Sequence, residues 1–95
     1  MESQKFIVRA DRAGVFFGEI ESRNGSEVKM KNVRKLWYWD GASAVEQLAV
    51  DGVLKPNDCK FTVIVDEMEI LGVIQVIPAS EKAVNSIESV SSWKQ

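Results

Sequence analysis

Histidine is absent from this sequence, and cysteine occurs once, as Cys59. The first absence removes the commonest general base and the commonest transition-metal ligand. With one Cys and no His, one chain can build neither a disulfide nor a zinc site nor a Cys–His nucleophile pair. A lone cysteine fits a reducing compartment. Long apolar runs are missing too. The longest, Ile70 to Ile77, is interrupted by Gly72 and Gln75 and is far too short to cross a bilayer, so no membrane association is expected. Met1–Lys5 lacks a charged segment leading into an apolar core, so no secretion is expected either. A catalytic role would have to rest on carboxylates, Lys, Tyr or Ser. The balance therefore favours a binding protein that needs no cofactor.

What is present suits one domain spanning residues 1–95, at the small end of what folds alone. The net charge of −2 hides an asymmetry, because residues 1–35 carry +3 and the remainder −5. A polarised surface of that kind suits an anionic ligand near the N-terminal sheet, although strands also carry charges simply on their wet face. Duplex DNA is disfavoured, since its binders are usually clearly basic.

Period-2 patterning predicts strands at Lys5–Asp11 and Val15–Ser22, with a hairpin turn at Asn24-Gly25 of type I′. The returning strand, Glu27 to about Trp39, changes phase. Val28 and Met30 share one parity, and Val33, Trp37 and Trp39 the other, which requires a bulge or bend near Asn32. Ser43 and Glu46 have capping-box spacing at the head of a short helix, Ser43–Asp51, stopped by Gly52. Further strands are predicted at Cys59–Val65 and Glu69–Ile77, joined by Asp66-Glu67. A second helix, Glu81–Ser92, is capped by Ser80. The order β-β-β-α-β-β-α predicts an α+β fold: a small antiparallel sheet of about five strands with two helices packed on one face. The fifth strand is apolar on both parities. Burying it between subunits makes a homo-oligomer, dimer or tetramer, the expected form.

One segment stands out: Arg34-Lys35-Leu36-Trp37-Tyr38-Trp39-Asp40-Gly41-Ala42-Ser43. Successive strand residues face opposite ways, so Trp37 and Trp39 are expected to share a face, with Tyr38 on the other. Aromatic faces stack on nucleobases, and neighbouring cations hold phosphates. Trp37, Tyr38 and Trp39 are therefore candidate stacking or wall residues. Arg34, Lys35 and the hairpin's Arg23 are candidate phosphate partners. Asp40 could accept from a base edge or ribose, and Ser43 at the helix start could add a donor. The competing reading makes Trp37 and Trp39 core or interface anchors and Ser43 merely a cap. Gly14 and Gly18 lack the strand–loop–helix setting of a phosphate loop, and Glu19 with Glu21 reads as a solvated pair.

The runs Ala13–Gly18, Glu21–Gly25, Leu36–Ala42, Cys59–Phe61 and Ile77–Ala83, with Ser86–Val90 and Trp93, resemble a family of small bacteriophage proteins of about this length. That resemblance extends to the phage anti-CBASS sponges. These are oligomers that sequester cyclic dinucleotides such as 3′3′-cGAMP without cleaving them. It implies an immune-evasion protein of the host bacterial cytoplasm whose partner is a cyclic di- or oligonucleotide. It transfers no ligand contact, so the candidate residues rest on their own chemistry. The alternative is a phage accessory protein that buries its aromatics against a host protein. A nuclease-like enzyme using carboxylate-bound metal ranks last.

Overall fold

The computed structural model describes residues 4–39 and 44–93. Among these residues there are six strands and two α-helices: β1 (Phe6–Ala10), β2 (Gly14–Asn24), β3 (Glu27–Tyr38), α1 (Val45–Asp51), β4 (Lys60–Phe61), β5 (Val65–Ile70), β6 (Val73–Pro78) and α2 (Glu81–Glu88). The α+β class holds, with six antiparallel strands in place of five. Cys59–Val65 contributes only the two residues of β4 and, in Val65, the first residue of β5. Asp66-Glu67, expected as a link, lies inside β5, and the real turn is Leu71-Gly72. The pairing explains why: Lys31 faces Glu67 and Lys29 faces Glu69 across β3–β5, a charge-matched ladder that a local reading cannot see.

The sheet runs β4-β3-β2-β1-β6, and β5 shares the outer edge of β3 with β4. β5 and β6 therefore sit on opposite edges, yet only Leu71 and Gly72 join them. A flat sheet would separate them by about 19 Å at ~4.8 Å per strand, whereas the link spans about 11 Å. The sheet must curl. Its ends meet where the Val73 N–H donates to Ser26 O and the Asp11 N–H donates to Gly72 O, both at 2.9 Å.

Curling gives the sheet two dry faces. Inside the curl lie Val8, Ala10, Phe16, Val28, Met30, Val33 and Ile70, with Val73 and Val76 packed against them. On the other face Ile7, Phe17, Leu36 and Phe61 meet α1 through Leu48 and Ala49, and α2 through Ala83 and Ile87. The apolarity of Ile70–Ile77 on both parities thus has a source within one chain. Ile70, Val73 and Val76 serve the curl and Ile77 the helices, while Leu71 and Ile74 stay exposed.

The phase change in β3 falls where the residues require it. Asn32 has φ 48°, a left-handed conformation that Asn tolerates better than most residues. Between Phe17↔Arg34 and Glu19↔Lys31, β3 spends one residue more than β2, so a bulge stands opposite Gly18. A Cβ on Gly18 would lie 2.8 Å from Val33 Cα and 3.0 Å from the carbonyl oxygens of Lys31 and Asn32. Only glycine lets the backbones close there. The hairpin turn differs from expectation: Asn24 pairs with Glu27, and Gly25 alone has positive φ, at 60°. Positive φ at only the first central residue is the type II′ requirement, which glycine meets at that position.

Both helices are shorter than their sequence patterns. α1 begins at Val45, with Ala44 at its N-cap and no side-chain cap bond. The Glu46 carboxylate, expected to close a capping box with Ser43, accepts from Gln75 Nε2 of β6 at 3.4 Å. Ser43 lies outside the described residues. Ser80 does cap α2, its Oγ accepting from the Ala83 N–H at 3.1 Å. α2 stops at Glu88 because the chain tightens: the Val90 N–H reaches Ile87 O, and Ser89 Oγ donates to Ser86 O at 2.6 Å.

Candidate functional site

The aromatic end of β3 is shaped by a second irregularity. Leu36 pairs with Phe61 and Tyr38 with Lys60, so Trp37 is the extra residue against β4. Leu36 keeps its place in the helix-side core, and the bulge turns Trp37 outward, half exposed. Trp39 packs against the helix-side core. The two indoles expected to share one face thus differ in burial, Trp37 being half exposed and Trp39 packed on the core, with the bulge lying at Trp37. Tyr38 is half exposed.

Trp37 does not stand alone. Trp93, from the tail after α2, stacks on it with ring centroids 4.8 Å apart and planes inclined by 12°. Sheet contacts carry the tail there: Ser92 bridges to Phe61, and the Trp93 N–H donates to Phe61 O at 2.8 Å. Lys60 Nζ lies 5.3 Å from the Trp37 centroid and 5.4 Å from that of Trp93. Near-equal distances to two stacked rings place the ammonium at the flank of the stack, away from both outer faces. The result is a solvent-facing indole platform with a cation at its side. Behind Trp93, a cleft of about 250 Å³ is lined by Asn57, Cys59, Ser89, Ser91 and Ser92, among others.

The cations chosen from sequence are distributed differently. Arg34 is 2% exposed. Its Nε donates to Thr62 O at 3.0 Å, and its Nη1 donates to Val90 O at 2.9 Å and Ile87 O at 3.3 Å. Its guanidinium lies 5.3 Å from the Phe61 ring centroid, and burial lowers its pKa. Arg34 is thus turned into the protein and committed to carbonyls; Nη2 has no partner among the described residues. Lys35 is half buried, its stem passing close over Gly14. Arg23 is exposed beside the hairpin turn and pairs with Val28, nine positions from Trp37 along β3, roughly 30 Å at strand spacing. Within one protomer it is not part of this site. Asp40 lies outside the described residues, as does Ser43.

Trp93 and Lys60 are what the segment-by-segment reading did not assemble. Trp93 was conspicuous as a tail tryptophan, but its partner depends on where α2 ends. Lys60 carries no local signal, and only its register opposite Tyr38 brings it to the rings.

Two larger clefts suit an anion less well. One, of about 530 Å³, is bordered by Glu19, Glu81 and Glu88, with Lys5 held by Glu19 at 3.2 Å. The other, of about 670 Å³ at the mouth of the curl, is lined mainly by apolar residues such as Phe16 and Met68, with Asp11, Arg12 and Glu69 at its rim. Among the described residues no group of three His, Cys, Asp or Glu side chains gathers as a metal site, and no helix is long and apolar enough to cross a membrane. No curated protein and no solved structure matches the chain. Residues 3–87 do match a family, described as Domain of unknown function (DUF6948), and the chain belongs to it.

Proposed function

We propose that this protein binds a cyclic nucleotide signal such as 3′3′-cGAMP and sequesters it without cleavage, as the anti-CBASS sponges it resembles do. The observation that carries the reading is the Trp37–Trp93 stack with Lys60 at its flank. A nucleobase lies on the outer face of Trp37, a contact worth about 1–3 kcal/mol per base. The Lys60 ammonium, beside the rings and clear of that face, neutralises the adjoining phosphate. The protein acts in the host bacterial cytoplasm as a homo-oligomer, which lets a second subunit close over the ligand.

The test is a thermal-shift and calorimetry panel of cyclic di- and trinucleotides, with the ligand recovered afterwards. Saturation at a hundredfold excess over Kd raises apparent stability by about 2.7 kcal/mol. Trp37→Ala abolishes most of that gain. Intact ligand supports sequestration, whereas degraded ligand would mean catalysis. No shift with any nucleotide removes the proposal. The remaining reading is then docking to a host protein, favoured by Val63 and Ile64, which lie exposed between β4 and β5 on the same side of β3.

A further inference from the structure

The structure holds a buried arginine, Arg34, with no ion-pair partner among the described residues, three positions before Trp37 on β3. Its hydrogen bonds all go to carbonyls, and they are not scattered. Thr62 O belongs to the link after β4, whereas Ile87 O and Val90 O form the exit of α2. The last carbonyls of a helix lack intrahelical donors, and here a guanidinium from another element donates to Val90 O and joins the Val90 N–H at Ile87 O. Beyond Val90 only Ser91 and Ser92 precede Trp93, whose own N–H is held by Phe61 O at 2.8 Å. Phe61 lies against the same guanidinium. The path from the end of α2 to the second indole is thus pinned at both ends, and Arg34 makes one pin and touches the other.

We propose that Arg34 is the positioning residue of the indole platform: its guanidinium fork clamps the exit of α2 to β3 and thereby sets Trp93 against Trp37. Arg34 meets no ligand. This inference rests on the reading of the platform as a nucleotide site, but the platform's geometry can be measured without any nucleotide. A planar fork is essential, because one group must reach Thr62 O and Val90 O together. A lysine ammonium is a single point of charge and cannot span the two.

The experiment compares Arg34→Met, which keeps an apolar stem over Phe61, with Arg34→Lys, which keeps the charge and loses the fork. Each is read by the circular-dichroism couplet of the stacked indoles, with Trp93→Ala as the zero reference, and by titration with 3′3′-cGAMP. Both variants should melt cooperatively and lose the couplet. Their affinity should fall to that of Trp93→Ala, on the order of 10- to 100-fold for a weakened stacking surface. Combining either with Trp93→Ala should weaken binding no further, since two residues acting through one contact are not additive. A wild-type couplet in Arg34→Met overturns the proposal. So does near-wild-type affinity in Arg34→Lys, which would mean that charge rather than geometry matters. If 3′3′-cGAMP does not bind the wild type, the nucleotide reading loses that ligand, and the couplet still decides the role of Arg34.

Discussion

Gly18→Ala is the sharpest test of how the sheet is built. The added methyl would sit 2.8 Å from Val33 Cα and 3.0 Å from the Lys31 and Asn32 carbonyl oxygens, all of them backbone atoms. Ordinary contact needs at least 3.4 Å, so the bulge must move outward by about half an ångström. It cannot do so freely, because Asn32 Nδ2 is held by Glu19 Oε2 at 2.8 Å and Val33 is fully buried inside the curl. Forcing extra volume into a packed interior costs about 1–3 kcal/mol. Alanine recovers about 0.4–1 kcal/mol by restricting the unfolded chain. The net expectation is a loss of about 1–2 kcal/mol, or roughly 5–15 °C in Tm for a domain of this size. Urea denaturation measures it, with Gly25→Ala as the comparison: nothing lies within 4 Å of that position, and only its φ of 60° opposes a side chain. A Gly18→Ala variant as stable as wild type would refute the argument that the bulge closes on glycine.

Three further outcomes follow from the packing and charge pattern. Ser80→Ala removes the α2 cap and should cost about 1 kcal/mol by chemical denaturation. Leu48→Ala, at a fully buried position, should cost about 2–5 kcal/mol, whereas Leu54→Ala, 71% exposed, should stay within about 0.5 kcal/mol. Glu21 is held below its ordinary pKa, first by its hydrogen bond from Lys29 and then by Lys31, and Glu21 in turn raises Lys29. A lowered acid adds stability that is present above the ordinary value of 4.5 and lost as pH falls through the folded value. A raised lysine adds stability below 10.5 that is lost as pH rises through its folded value. Lys29→Met should flatten both limbs of a stability-versus-pH curve, slightly, since the groups are solvated.

Much of the fold was legible because its signals are local. The β2–β3 hairpin, the break at Asn32, Ser80 as a cap and Gly52 as a stop are each written in a few adjacent residues whose backbone preferences have few solutions. Strand count, the start of α1 and the end of α2 were not. β5 depends on lysines some forty residues earlier in the chain, and Glu46 meets a glutamine on β6.

The candidate site divides in the same way. That Arg34–Trp39 is unusual, and that its rings follow a strand bend, is set by residue identity and by the two-residue period of a strand. Which ring faces solvent, that Arg34 turns inward while Lys60 comes to the aromatics, and that Trp93 completes a stack were decided by the tertiary structure alone. Each depends on a bulge, a pairing register or the end of a distant helix, and these are set by packing and hydrogen bonding between segments far apart in the chain.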